Sequence, residues 1–596
     1  MLKKFFLNFL SSFAAVWVAL GLFTMTAVIV IVALLGKIGA SGSDTESLKR
    51  HSILRIDLSG VIEEREEARD VDYIGLVQGD IERPQALDVL VSAIRTATDS
   101  KDVDMIYLKC GGVSAAPATL HALRSELAKF RESGKRIFAY GDGYSAGTYY
   151  VASVADSLFI NPAGSIALQG IGGTTIYMKN LFDKLGVEFE VVKVGTFKSA
   201  VEPFILNEMS APARAQLDTL YGDMWRFMRD EIAQRRKISS ADINRLINES
   251  NVMLRDGKYD VKCKLADRAV YERQVDDIFA AAMDIDKDDL NFVTTASMVD
   301  LDKIVAEIGS KNQIAVLYAT GEIAESARAG INCEALVPVI TELADNDNVK
   351  GLVLRVNSPG GSVFGSEQIG EALDYFKSTG KPFAVSMGDY AASGGYWISC
   401  GADRIFADPL TITGSIGIYG LLPNIEGLAQ KIGVNPQTVT TNPEADFPSL
   451  FARMTPSQHA AMQTYIEKGY NDFIRRVAKG RKMSEAKVRQ IAEGRVWAAP
   501  TALKIGLVDE LGQLEDACEW VIAKVDSKKK PNIVSYPQFN PGFWDIIQNA
   551  GQSAMMQMLS DNIMKMTADA WLGQIAVNVI TRKPVQARMI DIRFIY

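Results

Sequence analysis

The sequence predicts an α/β protein made of two copies of one unit, preceded by a membrane-spanning helix. Three observations predict this fold class: an uncharged apolar segment near the amino terminus, a self-similarity at fixed spacing, and β-branched runs that alternate with amphipathic stretches. The chain has 596 residues, 48% hydrophobic and 23% charged, which is typical of globular proteins. The formal charge of −8, without a clustered basic surface, gives no reason to expect nucleic acid as a partner.

The first element is the apolar segment. No charged residue occurs from Phe5 to Gly36, and Phe13 to Leu35 is long enough to cross a bilayer core as a helix. Two lysines precede this segment, so the positive-inside bias places the amino terminus in the cytoplasm and the body outside. The alternative is a cleaved secretory signal, whose apolar core is normally about 7 to 15 residues long. We predict that residues 1–46 form a cytoplasmic stub, a retained transmembrane helix and a linker.

The second observation is an internal repeat. Residues Tyr149 to Pro162 align with Tyr396 to Pro409 at an offset of 247, and weaker matches occur before and after this pair. Self-similarity at one offset indicates a duplicated structural unit. We infer a first copy in residues 47–311 and a second copy in residues 312–530.

Within each copy, β-branched runs alternate with amphipathic helical stretches, which predicts βα units and a parallel sheet. The first copy has a predicted strand, helix and strand at residues 105–109, 120–131 and 135–140. The second copy repeats this order at residues 351–356, 367–377 and 382–386. Residues 531–596 form a Met-rich extension, which we interpret as amphipathic helices that pack on the core or on a neighbouring subunit. A membrane-surface or partner-binding role is the alternative.

Two glycine-rich motifs in the second copy suggest chemistry. Asn357 to Ser362 reads Asn-Ser-Pro-Gly-Gly-Ser and follows a predicted strand. Adjacent glycines at such a turn can present backbone N–H groups to a carbonyl oxygen, as in an oxyanion hole; a strand-to-helix turn without a ligand is the alternative. About thirty residues later, Ser393 lies among small residues in Ala391 to Trp397. It is a candidate nucleophile, although a crowded helix start would look the same.

A serine nucleophile needs a base. The three histidines, His51, His121 and His459, lie outside these motifs, so neither a Ser-His-Asp triad nor a His-ligated metal is indicated. Five cysteines show no CxxC spacing, which argues against a zinc site or a disulfide framework. Lys198 follows Phe197 and precedes a small, then apolar series. It is a candidate base if burial lowers its pKa, and a solvated surface lysine otherwise.

The two copies lack complementary halves of a Ser-Lys pair. Ser393 aligns with Ala146, and Lys198 aligns approximately with residues 442–445, which contain no lysine. Complementary loss is expected if the ancestral unit carried both groups and the duplicated chain builds one site from two halves.

Four motifs carry a resemblance to a known family. They are the two glycine-rich motifs above, Thr-Gly-Ser-Ile-Gly-Ile at Thr413 to Ile418, and Gly-Thr-Phe-Lys-Ser-Ala-Val-Glu-Pro-Phe at Gly195 to Phe204. With them, the chain resembles the signal peptide peptidase A (protease IV) family in its long, duplicated form over almost all of residues 1–525. The resemblance implies a ClpP/crotonase-like fold of repeated ββα units and a membrane-anchored, bowl-shaped oligomer that faces the periplasm.

The resemblance also implies roles for individual residues. Ser393 would be the nucleophile, Lys198 the general base and Ser415 the hydroxyl that orients the lysine, while Gly361 and Gly394 would supply the oxyanion N–H groups. On this basis we expect a cofactor-free, metal-free homotetramer of the bacterial inner membrane. Its substrates would be signal peptides that remain after preprotein cleavage, and other envelope polypeptides.

Two other functions stay open at the level of the sequence. One is a crotonase-type acyl-CoA enzyme, in which the same glycine pair would polarise a thioester. The other is a catalytically silent membrane scaffold. The sequence also leaves open whether the Ser-Lys pair meets within one chain or between two chains.

Overall fold

The structure is a computed structural model of the chain, and it describes residues 48–65, 84–250, 252–298, 310–327, 329–527 and 529–537. The predicted transmembrane segment and almost all of the Met-rich extension lie outside these ranges. Within them, no helix combines the length and the apolar character needed to cross a membrane.

The first copy is built on a parallel sheet of seven strands. Its central path runs, in spatial order, through strands Asn291–Val293, Ser52–Glu63, Val103–Ser114, Arg136–Gly141, Ser157–Ile160 and Arg268–Ala269. Strand Gln85–Ala86 pairs with the end of Ser52–Glu63. Every pairing in this sheet is parallel.

The second copy is built on an eight-stranded sheet with the same plan. Its central path runs through strands Val496–Ala498, Ile412–Gly414, Phe383–Ala392, Val349–Ser358, Gln313–Thr320 and Asn532–Tyr536. Strands Arg404–Ala407 and Glu510–Leu511 branch from Phe383–Ala392. All pairings are parallel except that of Val496–Ala498, which is antiparallel. Strand Asn532–Tyr536 lies beyond residue 530, so the first residues of the Met-rich extension belong to this sheet.

Helices connect the strands in both copies. In the first copy the α-helices are Leu87–Asp99, Pro117–Glu132, Ala146–Ala152, Lys179–Leu185, Glu202–Ile205, Ala211–Arg236, Ser240–Ser250, Gly257–Lys262 and Val275–Met283. In the second copy they are Cys333–Asp345, Val363–Ser378, Gly394–Ser399, Glu426–Lys431, Pro456–Arg481, Glu485–Ile491, Ala499–Ile505 and Leu514–Lys524. Four two-residue strands form two parallel pairs outside the main sheets: Tyr144–Ser145 with Ile166–Ala167, and Ile323–Ala324 with Ile331–Asn332.

The sheets are covered on both faces, which explains the nearly continuous apolar character of the strands. Along strand Ser52–Glu63, Leu54 and Ile56 pack into the larger core, whereas Ile53 packs into the smaller core on the other face. Successive side chains of a strand point to opposite faces, so one strand feeds both cores. The predicted duplication of a parallel α/β unit is confirmed. The two strands and one helix predicted in each copy each lie within or overlap an observed element.

One antiparallel ribbon joins the two copies. Strand Glu188–Val194 of the first copy pairs with strand Ile418–Asn424 of the second copy, from Ile418 opposite Val194 to Asn424 opposite Glu188. Val192 of this ribbon packs into the core of the second copy. The ribbon therefore fixes the position of the chain that follows Val194, which carries Lys198.

Candidate active site

Ser393 stands at a sharp turn between strand Phe383–Ala392 and helix Gly394–Ser399. Its backbone has φ +55° and ψ −118°, a conformation that is strained for a residue with a side chain. Its amide donates to the carbonyl of Gly414 at 2.9 Å, and its carbonyl accepts from the amide of Trp397 at 2.9 Å. The surrounding backbone thus holds the serine in a conformation that a free chain would avoid.

Lys198 reaches this serine from the first copy. Its Nζ atom lies 3.0 Å from Ser393 Oγ, 3.0 Å from Ser415 Oγ and 3.2 Å from the carbonyl oxygen of Ser415. The contact follows from the ribbon, because Lys198 comes four residues after Val194 and Ser415 comes three residues before Ile418. All three side chains belong to one chain.

The environment of Lys198 favours the neutral amine. The residue is 5% exposed, and burial lowers the pKa of its ammonium group to about 7. Within the described ranges no carboxylate forms an ion pair with Nζ, and the ring centroid of Tyr419 lies 5.9 Å away. A lysine in this setting can accept a proton near neutral pH.

Ser415 is held as firmly as Ser393. Its φ is +51°, and its amide donates to the carbonyl of Arg495 at 2.7 Å. Because both its hydroxyl and its carbonyl oxygen contact Lys198 Nζ, Ser415 restricts the directions in which the amine can point.

Gly361 and Gly394 lie together beside the serine. A Cβ atom at Gly394 would stand 3.2 Å from the amide nitrogen of Gly361, so the two backbones approach closely. Gly361 has φ +151°, and a Cβ there would collide with the carbonyl oxygen of Ile323 at 2.1 Å. The amides of Gly361 and Gly394 donate no hydrogen bond to any described residue. Two free donors next to a nucleophile can bind a carbonyl oxygen that becomes negatively charged.

The structure therefore brings together all five residues singled out in the sequence. Ser393, Ser415, Gly361 and Gly394 come from turns at the ends of adjacent strands of the second sheet, and Lys198 comes from the ribbon. The roles assigned to them remain predictions. Among the described residues, no group of three or more His, Cys, Asp or Glu side chains could hold a metal ion.

The sequence reasoning missed a buried polar network behind these turns. Asp389 and Asn357 are hydrogen-bonded to each other. Asp389 also accepts from Thr119 of the first copy, and Asn357 also donates to Glu64 of the first copy. Asn357 opens one glycine-rich motif and Asp389 precedes the other by two residues, so their positions beside the motifs were the available signal. Their partners in the first copy, Thr119 and Glu64, lie beside no recognised motif, so nothing in the sequence marked them.

Comparisons with known proteins show which family the chain is similar to. The sequence model of Peptidase family S49 matches residues 129–286 and 375–528, one range in each copy. Protease 4 of Salmonella typhi is 34% identical over 563 residues, which is 92% of this chain and 90% of that protein. Protease 4 of Haemophilus influenzae is 33% identical over 82% of each chain. The chloroplastic serine protease SPPA of Arabidopsis thaliana is 25% identical over 92% of this chain and 79% of that protein.

Two matched ranges in one chain define a peptidase whose domain is duplicated. The chain belongs to peptidase family S49, and the family resemblance inferred from the four motifs is confirmed.

Proposed function

We propose that the chain is a membrane-anchored serine endopeptidase that cleaves peptide bonds with a Ser-Lys dyad. The observation that carries the proposal is the 3.0 Å contact between Ser393 Oγ and the buried Lys198 Nζ. A crotonase-type acyl-CoA enzyme has no need for a serine hydroxyl against a neutral amine. A silent scaffold has no need for a buried lysine that forms no ion pair with any described carboxylate, because its desolvation is unfavourable.

In the first step, neutral Lys198 accepts the hydroxyl proton of Ser393 while Oγ attacks the carbonyl carbon of the peptide bond. The negative charge that forms on the carbonyl oxygen is stabilised by the amides of Gly361 and Gly394. Ser415 keeps the lysine amine directed at Ser393 through its hydroxyl and carbonyl contacts.

In the second step, the tetrahedral intermediate breaks its C–N bond, and protonated Lys198 gives its proton to the leaving amine. Ser393 then carries the acyl group as an ester. Water attacks this ester after giving a proton to Lys198, and the departing Ser393 oxygen takes that proton back. The cycle releases a carboxylic acid and an amine, and it regenerates both groups.

Covalent labelling tests this proposal directly. A fluorophosphonate probe should label Ser393, and Ser393→Ala should abolish both labelling and peptide hydrolysis while the protein stays folded. Ser114→Ala, at the position of the first copy that aligns with Gly361, is the matched control and should keep full activity. More than a few per cent of residual hydrolysis in Ser393→Ala would exclude Ser393 as the nucleophile.

The proposal includes a single membrane anchor in the bacterial inner membrane, with the amino terminus in the cytoplasm and the body in the periplasm. It is supported by the uncharged run from Phe5 to Gly36. The protein should stay in the membrane fraction after alkaline carbonate washing, and deletion of residues 1–46 should release an active soluble form. A mature protein that begins near residue 40 would show that the segment is a cleaved signal.

We further propose that the substrates are signal peptides left in the membrane after preprotein processing, together with other envelope polypeptides. The motif resemblance supports this substrate class. Membranes loaded with a radiolabelled preprotein and signal peptidase should lose the liberated signal peptide when the wild-type protein is present, and retain it with Ser393→Ala. Equal loss with both proteins would remove signal peptides from the substrates.

The proposed homotetramer gains support from the quasi-equivalence of the two copies. By the offset of 247, the paired strands Glu188–Val194 and Ile418–Asn424 correspond to residues 435–441 and 171–177 respectively. Both corresponding segments are outside any strand and mostly exposed. If residues 435–441 of one chain pair with 171–177 of the next, the ribbon within the chain is repeated between chains, and the association can close into a ring.

Disulfide crosslinking tests this pairing. Thr174→Cys with Thr438→Cys, in a Cys263→Ser background because the four other cysteines are buried, should give chain multimers on a non-reducing gel. Val191→Cys with Leu421→Cys is the matched control, because these residues face each other inside one chain and should not change its mass. Monomers under oxidising conditions would contradict this assembly without affecting the proposed chemistry.

A further inference from the structure

The helix Pro117–Glu132 of the first copy starts without a side-chain cap of its own. Its N-cap residue is Ala116, which offers no side-chain acceptor. The first amides of a helix need acceptors from outside the helix. Here the acceptor comes from the other copy: the amide of Thr119 donates to Asp389 Oδ1 at 2.9 Å, and the hydroxyl of Thr119 donates to Asp389 Oδ2 at 2.7 Å.

Asp389 lies four residues before Ser393, on the strand that ends in the nucleophile turn. Asp389 is only 6% exposed, so water cannot solvate its carboxylate. The carboxylate is stabilised instead by these protein donors and by the helix N-terminus. A displacement of the helix would therefore move this strand end or leave a buried carboxylate without partners.

The Asp389 carboxylate also binds Asn357, at the start of the turn that contains Gly361. Asn357 Nδ2 donates to Asp389 Oδ2 at 3.1 Å, and Asn357 Oδ1 accepts from the amide of Tyr390 at 3.1 Å. Asn357 Nδ2 is also 3.2 Å from Glu64 Oε2, a second contact with the first copy. Asn357 directly precedes Ser358-Pro-Gly-Gly, the turn that ends in Gly361. The hydrogen-bonded pair of Asp389 and Asn357 thus connects both turns of the candidate site to the first copy.

We propose that Asp389 is a positioning residue for the peptidase reaction, which holds the Ser393 turn and the Gly361 turn in register with the copy that supplies Lys198. This inference rests on the proposed function. It gives the first copy a second role besides carrying the base. Through Asp389, its helix Pro117–Glu132 fixes the positions of the nucleophile and the oxyanion donors.

The first copy shows that the fold does not require such a contact. Asp142 aligns with Asp389, but it is exposed, and within the described residues its carboxylate accepts from Tyr140 and Asn161 of its own copy. The strand, turn and helix around Asp142 form all the same. The contact with a helix of the other copy therefore occurs where the nucleophile is, and it is absent from the equivalent position without one.

Steady-state kinetics with a peptide substrate, together with fluorophosphonate labelling, test the proposal. Asp389→Ala should lower kcat by at least 10-fold and slow the labelling of Ser393 in parallel, with KM changed less than 3-fold, at a temperature well below Tm. Asp389→Asn keeps one acceptor for the Thr119 amide and should be less impaired. Thr119→Val, which removes one hydroxyl far from the reacting atoms, should lower kcat about 3-fold. Asp142→Ala is the matched control and should keep the wild-type kcat.

The coupling between the two residues supplies a further test. If Asp389 acts through Thr119, the double variant Asp389→Ala, Thr119→Val should be no slower than Asp389→Ala alone. A kcat within 2-fold of wild type in folded Asp389→Ala would overturn the proposal. A double variant whose loss in kcat equals the product of the two single losses would also overturn it. If Asp389→Ala does not fold, Asp389→Asn and Thr119→Val decide by the same criteria. Absence of Ser393 labelling in the wild-type protein would instead contradict the proposed function itself.

Discussion

The two copies share one fold but differ at the turns that carry the candidate site residues. In the first copy, strand Val103–Ser114 stays paired to its end, with Ser114 opposite Val61. In the second copy, the equivalent strand stops at Ser358, and Gly360 and Gly361 turn away with positive φ. The loop that presents free amides exists only where the pairing is interrupted.

The hydroxyl groups at the two turns also have different partners. In the first copy, Ser145 caps the helix Ala146–Ala152 by accepting from the amide of Thr148, and the Thr148 hydroxyl donates to the carbonyl of Gly111. In the second copy, Ser393 occupies the N-cap position without capping, and its hydroxyl contacts Lys198 instead. The first copy therefore uses the hydroxyls at this turn to stabilise the helix start, whereas the second copy holds Ser393 in a strained conformation with its hydroxyl directed at Lys198.

Substitutions at the glycine turn should give the largest difference in kcat between matched variants of the two copies. Gly361→Ala places a Cβ against the carbonyl oxygen of Ile323, so the turn must move and its amide leave the serine. We expect a loss in kcat of about 100-fold or more, the size typical of losing an oxyanion donor. Gly112→Ala in the first copy meets no atom within 4 Å and should leave kcat unchanged. Similar kinetics for both variants would show that the glycine turn has no catalytic role.

A smaller effect is expected at Ser415, which aligns with Leu168 of the first copy. Ser415→Ala removes the hydroxyl contact at 3.0 Å but leaves the carbonyl contact at 3.2 Å with Lys198 Nζ. The Lys198 amine keeps one of the two Ser415 contacts that orient it, so we expect kcat to fall about 10-fold with little change in KM. Steady-state kinetics check this, and an unchanged kcat would show that the carbonyl alone orients the lysine.

The third prediction concerns stability. Asp260 of the first copy is fully buried, and neither carboxylate oxygen makes a hydrogen bond of normal geometry with a described residue. Burial raises its pKa to about 7, although the amide of Ile166 favours the charged form. The unfolded chain ionises near pH 4, so this residue destabilises the fold increasingly from pH 4 to 7 and by a constant amount above pH 7.

The equivalent position of the second copy is Ala502, because the Leu265 amide donates to the carbonyl of Asp260 just as the Leu507 amide donates to the carbonyl of Ala502. Asp260→Ala should therefore raise Tm by a few degrees at pH 8 and by much less at pH 4, as measured by thermal denaturation of the soluble form. Ala502→Asp is the reciprocal variant and should lower Tm with the same pH dependence. A stabilisation of Asp260→Ala that is independent of pH would contradict a buried, titrating carboxylate.

The sequence was sufficient to predict two strands and one helix of each copy, together with five residues of the candidate site, of which Ser415 and Gly394 follow only from the family resemblance. Periodicity and β-branched runs report local structure, and the offset of 247 identified which positions of the two copies differ, such as Ser393 and Ala146. The lysine was accessible because it stands in a motif and because its counterpart is missing from the second copy.

The backbone pairings and the helix capping that join distant parts of the chain could not be predicted. The ribbon that carries Lys198 pairs residues more than 200 positions apart, and neither strand has a pattern that names its partner. The capping of Thr119 by Asp389 spans 270 positions and involves residue types that are common in turns. Strand Asn532–Tyr536 was assigned to the Met-rich extension because its pairing with Gln313–Thr320 is visible only in the folded sheet.

In the proposed mechanism, the first copy supplies a neutral lysine to the serine of the second copy. This mechanism is tested by the rate at which a fluorophosphonate labels Ser393 as a function of pH. Burial lowers the pKa of Lys198 to about 7, so the base is protonated below this value and free above it. Arginine keeps the charge and cannot deprotonate in a protein.

We predict that the labelling rate of the wild-type protein rises with pH, with a midpoint near 7, and reaches a plateau above about pH 8. Lys198→Arg should be labelled as slowly as Lys198→Ala at every pH, because neither side chain can accept the serine proton. A wild-type rate that does not change between pH 6 and pH 9, or a Lys198→Arg variant labelled at the wild-type rate, would contradict the account.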